Sequence, residues 1–538
     1  MSSSEYLLQR PLPVVASRAR AVPADVWAVW ALVVIAMVIR ILTIDNQSFW
    51  ADEALTAYEA HLPLGAMLNT VAHVETTPPL YFVLIWAWAH VFGIGEIALR
   101  APSMLAGIAL VPIAYLSARE LASRWAGVIA AALVTVNPFL IWYSQEARAY
   151  MLLAVLCGAS FVSFARARRD PSRRNLAWWA ALSCLAVMTH FFAGFAVAPE
   201  ALWLLWRAAG PGQARGAGGA PGSARAVLIA VGVVAAVQAA MLPFAVADTS
   251  HGVGWIARTP RLHRIGQLTL EWGVSVVSRY GNWREGLAIW ALLAALIVVL
   301  LRFGATPRER DGALAAAAIM GVVLLAPLAL GFLGQDYFLS RNAIPAMIPL
   351  ITLLAAACAA PRARVPGSAL AVALLVIFSV AAVRVQTDGR YQRPDWRKVA
   401  RALGPATRPR AILAADGTTA DPLKIYLTGV NWTQPRGRRV PISEIDVIAA
   451  LKRLRLARAT HRSKVGAAPS PTRGRALPSL VAPPGTRLIA RARVASWVIA
   501  RYAFAHPQRL SIQQVAARAP EYFHYPPAAL LAFTQPAH

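Results

Sequence analysis

Residues 27–53 read WAVWALVVIAMVIRILTIDNQSFWADE. The apolar stretch 27–44 has the composition and nearly the length of a membrane helix, which needs about 20 residues to cross the hydrocarbon core. About five residues beyond it come Phe49-Trp-Ala-Asp52-Glu53, so two adjacent carboxylates lie at the water edge of a span. Such a pair is usually a solvated ornament of a helix end. It can also be a catalytic base held over a lipid-linked substrate, and the rest of the chain decides between the two.

Apolar runs recur to about Val385 and then stop. With 538 residues, 58% of them hydrophobic and 14% charged, the fold class is an α-helical polytopic membrane protein. Candidate spans fall at 27–44, 101–118, 125–141, 150–165, 176–189, 191–206, 226–246, 285–301, 313–333, 343–359 and 367–385, eleven in all. Alternate connections carry Arg119 and Arg124; Arg166, Arg168, Arg169, Arg173 and Arg174; Arg207, Arg215 and Arg225; Arg302, Arg308 and Arg310; Arg362 and Arg364. All lie on the side of the N-terminal tail, residues 1–26, and the excess of Arg makes that side cytoplasmic. No cleavable signal pattern precedes the first span. Residues 80–93 are apolar but short, so we expect a juxtamembrane or re-entrant helix inside one long outer loop, 45–100, behind Pro78-Pro79. A twelve-span count, in which 80–93 crosses, is the alternative and would turn the Arg loops outward. Cys157, Cys184 and Cys358 sit inside apolar runs and read as packing residues.

The membrane domain is thus expected over 27–385 and a separate basic α/β domain over 386–538, with 25 Lys/Arg against 7 Asp/Glu. Eleven spans put that domain outside the cytoplasm, where its charge would draw anionic lipid or a phosphorylated acceptor; a membrane tether there excludes nucleic acid as partner. Arg410–Asp416 followed by a helical-looking 419–428 suggests the α/β unit, 460–486 reads as loop, and Gly210–Arg225 as a flexible linker.

Polar residues collect on the outer side. The first outer loop carries Asp52, Glu53, Glu59 and Glu75 and ends at Arg100; the next reads Tyr143-Ser144-Gln145-Glu146-Ala147-Arg148-Ala149-Tyr150. His190 lies in a tight aromatic turn, loop 247–284 holds Trp255, Trp272, Arg279, Tyr280 and Trp283, and the last loop contains Asp336 and Arg341. Each has a bland reading: acids at a membrane edge are common, arginines snorkel to headgroups, His190 fits a hydrogen-bonded turn, and Trp and Tyr form an interfacial belt. Together they make a site for an anionic lipid substrate. No Gly-rich phosphate loop or Asp-x-Asp pair marks a cytoplasmic nucleotide-sugar site. A lipid-linked sugar transporter is the reading from another class; it requires mid-span ionisable residues and an inverted repeat, whereas the acids here gather in loops.

The ordered set Phe49-Trp-Ala-Asp-Glu-Ala, Thr77-Pro-Pro-Leu-Tyr-Phe, Leu99-Arg-Ala-Pro-Ser and Asn137-Pro-Phe…Tyr143-Ser-Gln-Glu-Ala-Arg-Ala-Tyr resembles the GT-C membrane glycosyltransferases. The nearest branch is that of protein O-mannosyltransferases and lipid A aminoarabinose transferases. The likeness covers roughly 27–200 and runs on more loosely through Arg341 and Tyr391-Gln-Arg-Pro-Asp-Trp-Arg. It implies a GT-C-like fold and a polyprenyl-phosphate sugar as donor, used on the outer face of a bacterial plasma membrane. Asp52, with Glu53 beside it, matches the family's first-loop acid, Glu75 its second acid and Arg100 its first-loop arginine. Where aminoarabinose transferases have an Asp after the next outer loop, this chain has Gln145-Glu146-Ala147-Arg148.

The resemblance makes Asp52 and Glu53 the catalytic candidates. Glu75, Arg100, Tyr143, Gln145, Glu146, Arg148, His190 and Arg341 are the donor-phosphate or substrate contacts. Asp52 would deprotonate an acceptor hydroxyl as it attacks the anomeric carbon, inverting configuration, and Arg148 or Arg341 would stabilise the leaving phosphate. The expected partners are membrane lipids, a polyprenyl-phosphate sugar (mannose first, arabinose next) and an envelope glycolipid, lipoglycan or glycan; a protein acceptor is the nearest rival. No cofactor is certain. Carboxylates can hold a divalent cation near a donor phosphate, yet no ligand cluster has diagnostic spacing.

Overall fold

Each of the eleven apolar runs coils into helix, the form in which a single segment satisfies all its backbone donors and acceptors in lipid. The computed structural model describes residues 22–209 apart from Thr76, 223–248, 256, 259–273, 283–389 apart from Gln335, 391–415, 421–430, 437–450, 482–494, 497–523 and 530–537. The helices are α1 (Ala24–Thr43), α2 (Ala51–His61), α3 (Leu64–Val74), α4 (Leu80–Phe92), α5 (Glu96–Leu121), α6 (Arg124–Val136), α7 (Pro138–Tyr143), α8 (Tyr150–Ala167), α9 (Arg173–Thr189) and α10 (Ala193–Ala209). They continue with α11 (Ser223–Asp248), α12 (Arg261–Gly273), α13 (Trp283–Val299, with a π-helical extension Leu300–Gly304), α14 (Pro307–Phe332), α15 (Met347–Cys358) and α16 (Arg364–Thr387). Among the described residues, α1, α5, α8, α11, α13 with its extension, α14 and α16 are long and apolar enough to cross a bilayer. The chain is a helical polytopic membrane protein, and exposed apolar side chains such as Leu42, Trp206, Val298 and Leu325 give the bundle a lipid-facing surface.

The Arg-bearing connections meet at one end of the bundle. Arg166 and Arg169 pair with Glu120 at 3.2 and 3.1 Å, and Arg168 with Asp311 at 3.1 Å. The Tyr115 hydroxyl donates to Asp25, near the start of α1, at 2.5 Å. At the other end α1 stops and α5 begins. Between them α2, α3 and α4 fold over one another around Phe49, Met67, Val71, Phe82 and Ile85. Arg397 pairs with both Asp45 (2.9 Å) and Glu96 (3.1 Å), so this loop leaves and re-enters the bundle at the same end. Its helix α4 has 13 residues, well short of the length a crossing needs.

Two local breaks shape the same end. The run 125–141 is split by Asn137-Pro138: the Asn137 side chain accepts from Leu140 N–H at 3.0 Å, capping α7, and donates to the Trp272 carbonyl at 3.1 Å. Gly107 lets α5 approach the 144–149 turn, since a Cβ there would run into Ser144 and Arg40.

One expectation needs correction. The acids do not all gather in loops: Glu200 is buried in the middle of α10, accepting from Ser160 (2.7 Å) and Trp179 (2.8 Å). These contacts, with the Ser160–Ser183 hydrogen bond, tie α8, α9 and α10 together.

Beyond α16 lie α17 (Trp396–Leu403), β1 (Arg410–Ala415), α18 (Leu423–Tyr426), β2 (Arg439–Ala450), β3 (Thr486–Val494), β4 (Trp497–Ser511), α19 (Ile512–Phe523) and β5 (Leu530–Gln535). The sheet order is β3-β4-β2-β1-β5, with β1 and β2 parallel and the other pairs antiparallel. The strand and helix expected near 410–428 are β1 and α18. Of the expected loop 460–486, residues 460–481 lie outside the described residues and Thr486 opens β3; 210–222 of the linker, Trp255, Arg279 and Tyr280 also lie outside them.

Candidate active site

The first turn of α2 sends its two carboxylates to different fates. Glu53 is completely buried. Arg100 grips it with Nε to Oε1 at 2.7 Å and Nη2 to Oε2 at 2.8 Å; Ala147 N–H adds 3.0 Å and Trp50 N–H 3.4 Å. Arg100 also donates to the carbonyls of Ile44 (3.1 Å) and Gln47 (2.7 Å). Glu53 and Arg100 thus rivet the start of α2 to α5 and the 144–149 turn. Glu53 and Arg100, expected as a catalytic and a substrate-contact residue, are here engaged with each other and with the backbone around them.

Asp52 faces the other way. Its side chain is 30% exposed and meets Arg341, itself 23% exposed, at 3.2 Å. The loop carrying Arg341 is braced by α12: Arg264 donates to Asp336 at 2.8 and 2.5 Å and to the Phe338 carbonyl at 2.8 Å. Hydrogen bonds from Arg264 hold the Asp336 carboxyl below the usual carboxylate range.

Arg148 and Glu75 form a second buried bidentate pair, at 2.8 and 2.7 Å. Arg148 further donates to Thr56 Oγ1 at 3.3 Å and the Asp52 carbonyl at 3.4 Å, tying the base of the site to α2. Nearby Glu59 is buried, and among the described residues neither of its oxygens has a hydrogen-bond partner. Burial, then the charge of Glu75, pushes its carboxyl up to about 8 against the pull of Arg148, so Glu59 holds a proton at neutral pH.

The remaining expected contacts surround this core. Glu146 is buried and receives Arg393 at 2.6 Å; burial raises its carboxyl, with Arg393 opposing. Gln145 receives a hydrogen bond from Gln386 at 3.1 Å and donates to Thr43, joining α1 and α16. Tyr143 packs edge-on against Tyr150, centroids 5.2 Å apart. His190 Nδ1 accepts from Phe192 N–H at 3.2 Å. Burial, with Arg148 and Arg341 near, holds its imidazole down to about 3. The sequence reading assigned no role to Arg393 and Trp50, although both lie in quoted motifs. Trp50 is flanked by Arg393 (4.2 Å to the ring centroid) and Arg341 (5.7 Å), beside the half-open Asp52. Among the described residues no group of three or more His, Cys, Asp or Glu is set to hold a metal.

An apolar cavity of about 420 Å³ runs between α12, α13, α14 and α15, lined by Trp272, Trp290, Ile297, Leu301 and Met320 among others.

Residues 76–235 match the family described as dolichyl-phosphate-mannose-protein mannosyltransferase. ArnT from Cupriavidus metallidurans bound to undecaprenyl phosphate shares the fold with a TM-score of 0.50 at 14% identity, over 89% of this chain and 98% of that one. Its apo state gives 0.50 at 13% identity with the same coverage. The S. cerevisiae protein O-mannosyltransferase Pmt1-Pmt2 complex bound to the sugar donor gives 0.35 at 18% identity, over 46% of this chain and 36% of that one. No curated protein sequence is significantly similar. The family match over 76–235 and the fold shared with ArnT are both in keeping with the resemblance read from the motifs.

Proposed function

We propose that the chain is an inverting glycosyltransferase that moves a sugar from a polyprenyl-phosphate donor to an envelope glycolipid, lipoglycan or glycan. The reaction would take place on the outer face of a bacterial plasma membrane. Residues 1–26 are then a cytoplasmic tail, 27–385 the catalytic membrane domain and 386–538 an extracytoplasmic domain.

The observation that carries this reading is the contrast at α2: Glu53 is sealed in a closed ion pair, while Asp52 stays part-exposed against Arg341. A base must reach its proton, and Asp52 is placed to do so. It accepts the proton of an acceptor hydroxyl as that oxygen bonds to the anomeric carbon. The bond from that carbon to the phosphate oxygen breaks, and polyprenyl phosphate departs with the electron pair. Arg341 would then exchange part of its contact with Asp52 for the phosphate, whose charge grows in the transition state. The apolar cavity suits the isoprenoid tail.

Mannose as the sugar is supported by the description of the matched family, which also favours a second reading in which the acceptor is a protein. Membranes carrying the chain, given polyprenyl phosphates charged with labelled mannose or arabinose, should pass label into a glycolipid or glycan fraction. Label in protein would select the second reading, and transfer from neither donor would contradict the proposal.

A further inference from the structure

Arg393 lies in the segment that leaves α16, and it reaches back over the site from there. Its guanidinium sits 4.2 Å from the Trp50 ring centroid and 4.8 Å from that of Trp142, in contact with both rings. One nitrogen meets Glu146 at 2.6 Å and another stands 3.9 Å from Glu53. The contact with Glu146 is one-sided, because Glu146 Oε1 is buried with no hydrogen-bond partner among the described residues. Arg100 and Arg148 differ, each spent on a bidentate carboxylate. Arg393 keeps 15% of its side chain exposed, on the tryptophan that Arg341 also approaches.

The segment is held on both flanks. Arg393 N–H donates to Gln47 at 3.0 Å, Ser48 Oγ to the Pro394 carbonyl at 3.2 Å, and Trp396 N–H to Ser48 Oγ at 2.8 Å. Trp396 is part of the core under the sheet, packed 4.8 Å from Trp497. From α18, Tyr426 donates to Glu96 and accepts from Phe49 N–H at 2.8 Å. The sheet unit is therefore docked on residues 45–50, the stretch that leads into Asp52.

We infer that Arg393 is a second ligand for the donor phosphate, delivered to the site by the docked C-terminal unit and exchanging Glu146 for phosphate when the donor binds. The inference rests on the donor reading given above. Two guanidinium groups against one tryptophan ring, beside a part-exposed carboxylate, suit a monophosphate ester that gains charge as its sugar leaves.

The test is direct binding of a polyprenyl monophosphate to the purified full chain in nanodiscs. Arg393→Ala should weaken binding roughly 10- to 100-fold, the loss of one charge-assisted contact, and Arg393→Lys less. Glu146→Gln removes the competing anion, so it should bind the phosphate more tightly than wild type. A residue that merely props the fold would not give that opposite sign. Unchanged binding in Arg393→Ala, or weaker binding in Glu146→Gln, overturns the assignment of Arg393 alone. No binding by wild type overturns the donor reading and this assignment with it.

Discussion

At the scale of single residues, the site is a set of carboxylate–arginine pairs that differ in closure. Removing one partner of a buried pair strands a charge, which costs about 3–5 kcal/mol. Glu53→Gln should therefore lower the thermal stability of the detergent-solubilised protein by that order, because Arg100 is left buried without its counter-charge. Asp52→Asn, on a part-exposed pair, should change stability by less than about 1 kcal/mol. Equal losses in the two variants would contradict the division of labour between the neighbours. Arg341 is the complementary case: Arg341→Ala should cut turnover on the order of 100-fold, as loss of a donor to developing charge does. Arg341→Lys should recover only part of it, since an ammonium cannot fork onto phosphate. Wild-type kinetics in either variant would reduce Arg341 to a headgroup anchor.

At the scale of elements, α2 places Asp52, Thr56 and Glu59 along one face, at steps of four and three residues. Glu59 carries a prediction of definite sign. Its folded-state carboxyl is raised to about 8 from 4.5, so between those values the folded state holds a proton that the unfolded chain has lost. Its effect is to make stability fall as pH rises across this window. The melting temperature of Glu59→Gln should fall less than that of wild type from pH 5 to 9, and parallel curves would show that folding does not raise the Glu59 carboxyl. The contact of α5 with the 144–149 turn is as tight. Gly107→Ala should destabilise by about 1–3 kcal/mol through overpacking, and Ser144→Gly in the same chain should return part of it.

At the scale of the whole molecule, the Arg-rich connections and the site occupy opposite ends of the bundle. Gly389 and Asp170 are exposed at these two ends. Replaced singly by cysteine in a chain lacking Cys157, Cys184 and Cys358, they should be labelled from opposite faces of intact cells, with Gly389→Cys reached from outside. Labelling of both from one face would contradict the orientation. Most of the helices were legible in the sequence, because a span is a local property: composition over about 20 residues places a helix. The acids and arginines of the quoted motifs lie together at one end of the bundle. Pairing was not legible. Glu53 and Arg100 lie 47 residues apart, and Arg393 lies 247 residues from Glu146, so nothing local says which carboxylate each arginine takes. The motif makes Asp52 the base with Glu53 beside it, but does not tell that the roughly 100° between adjacent helix positions buries one and leaves the other part-exposed. Arg40 and Glu200 were hidden for a different reason, since a single charge barely dents the apolarity of a long run, yet both are buried with polar partners.

The measurement that tests the central claim most directly is sugar transfer from a radiolabelled polyprenyl-phosphate sugar in membranes carrying wild type or Asp52→Asn at equal protein level. Transfer by wild type that vanishes in Asp52→Asn, while polyprenyl phosphate still binds, is the expected result. Transfer that survives in Asp52→Asn would contradict Asp52 as the base.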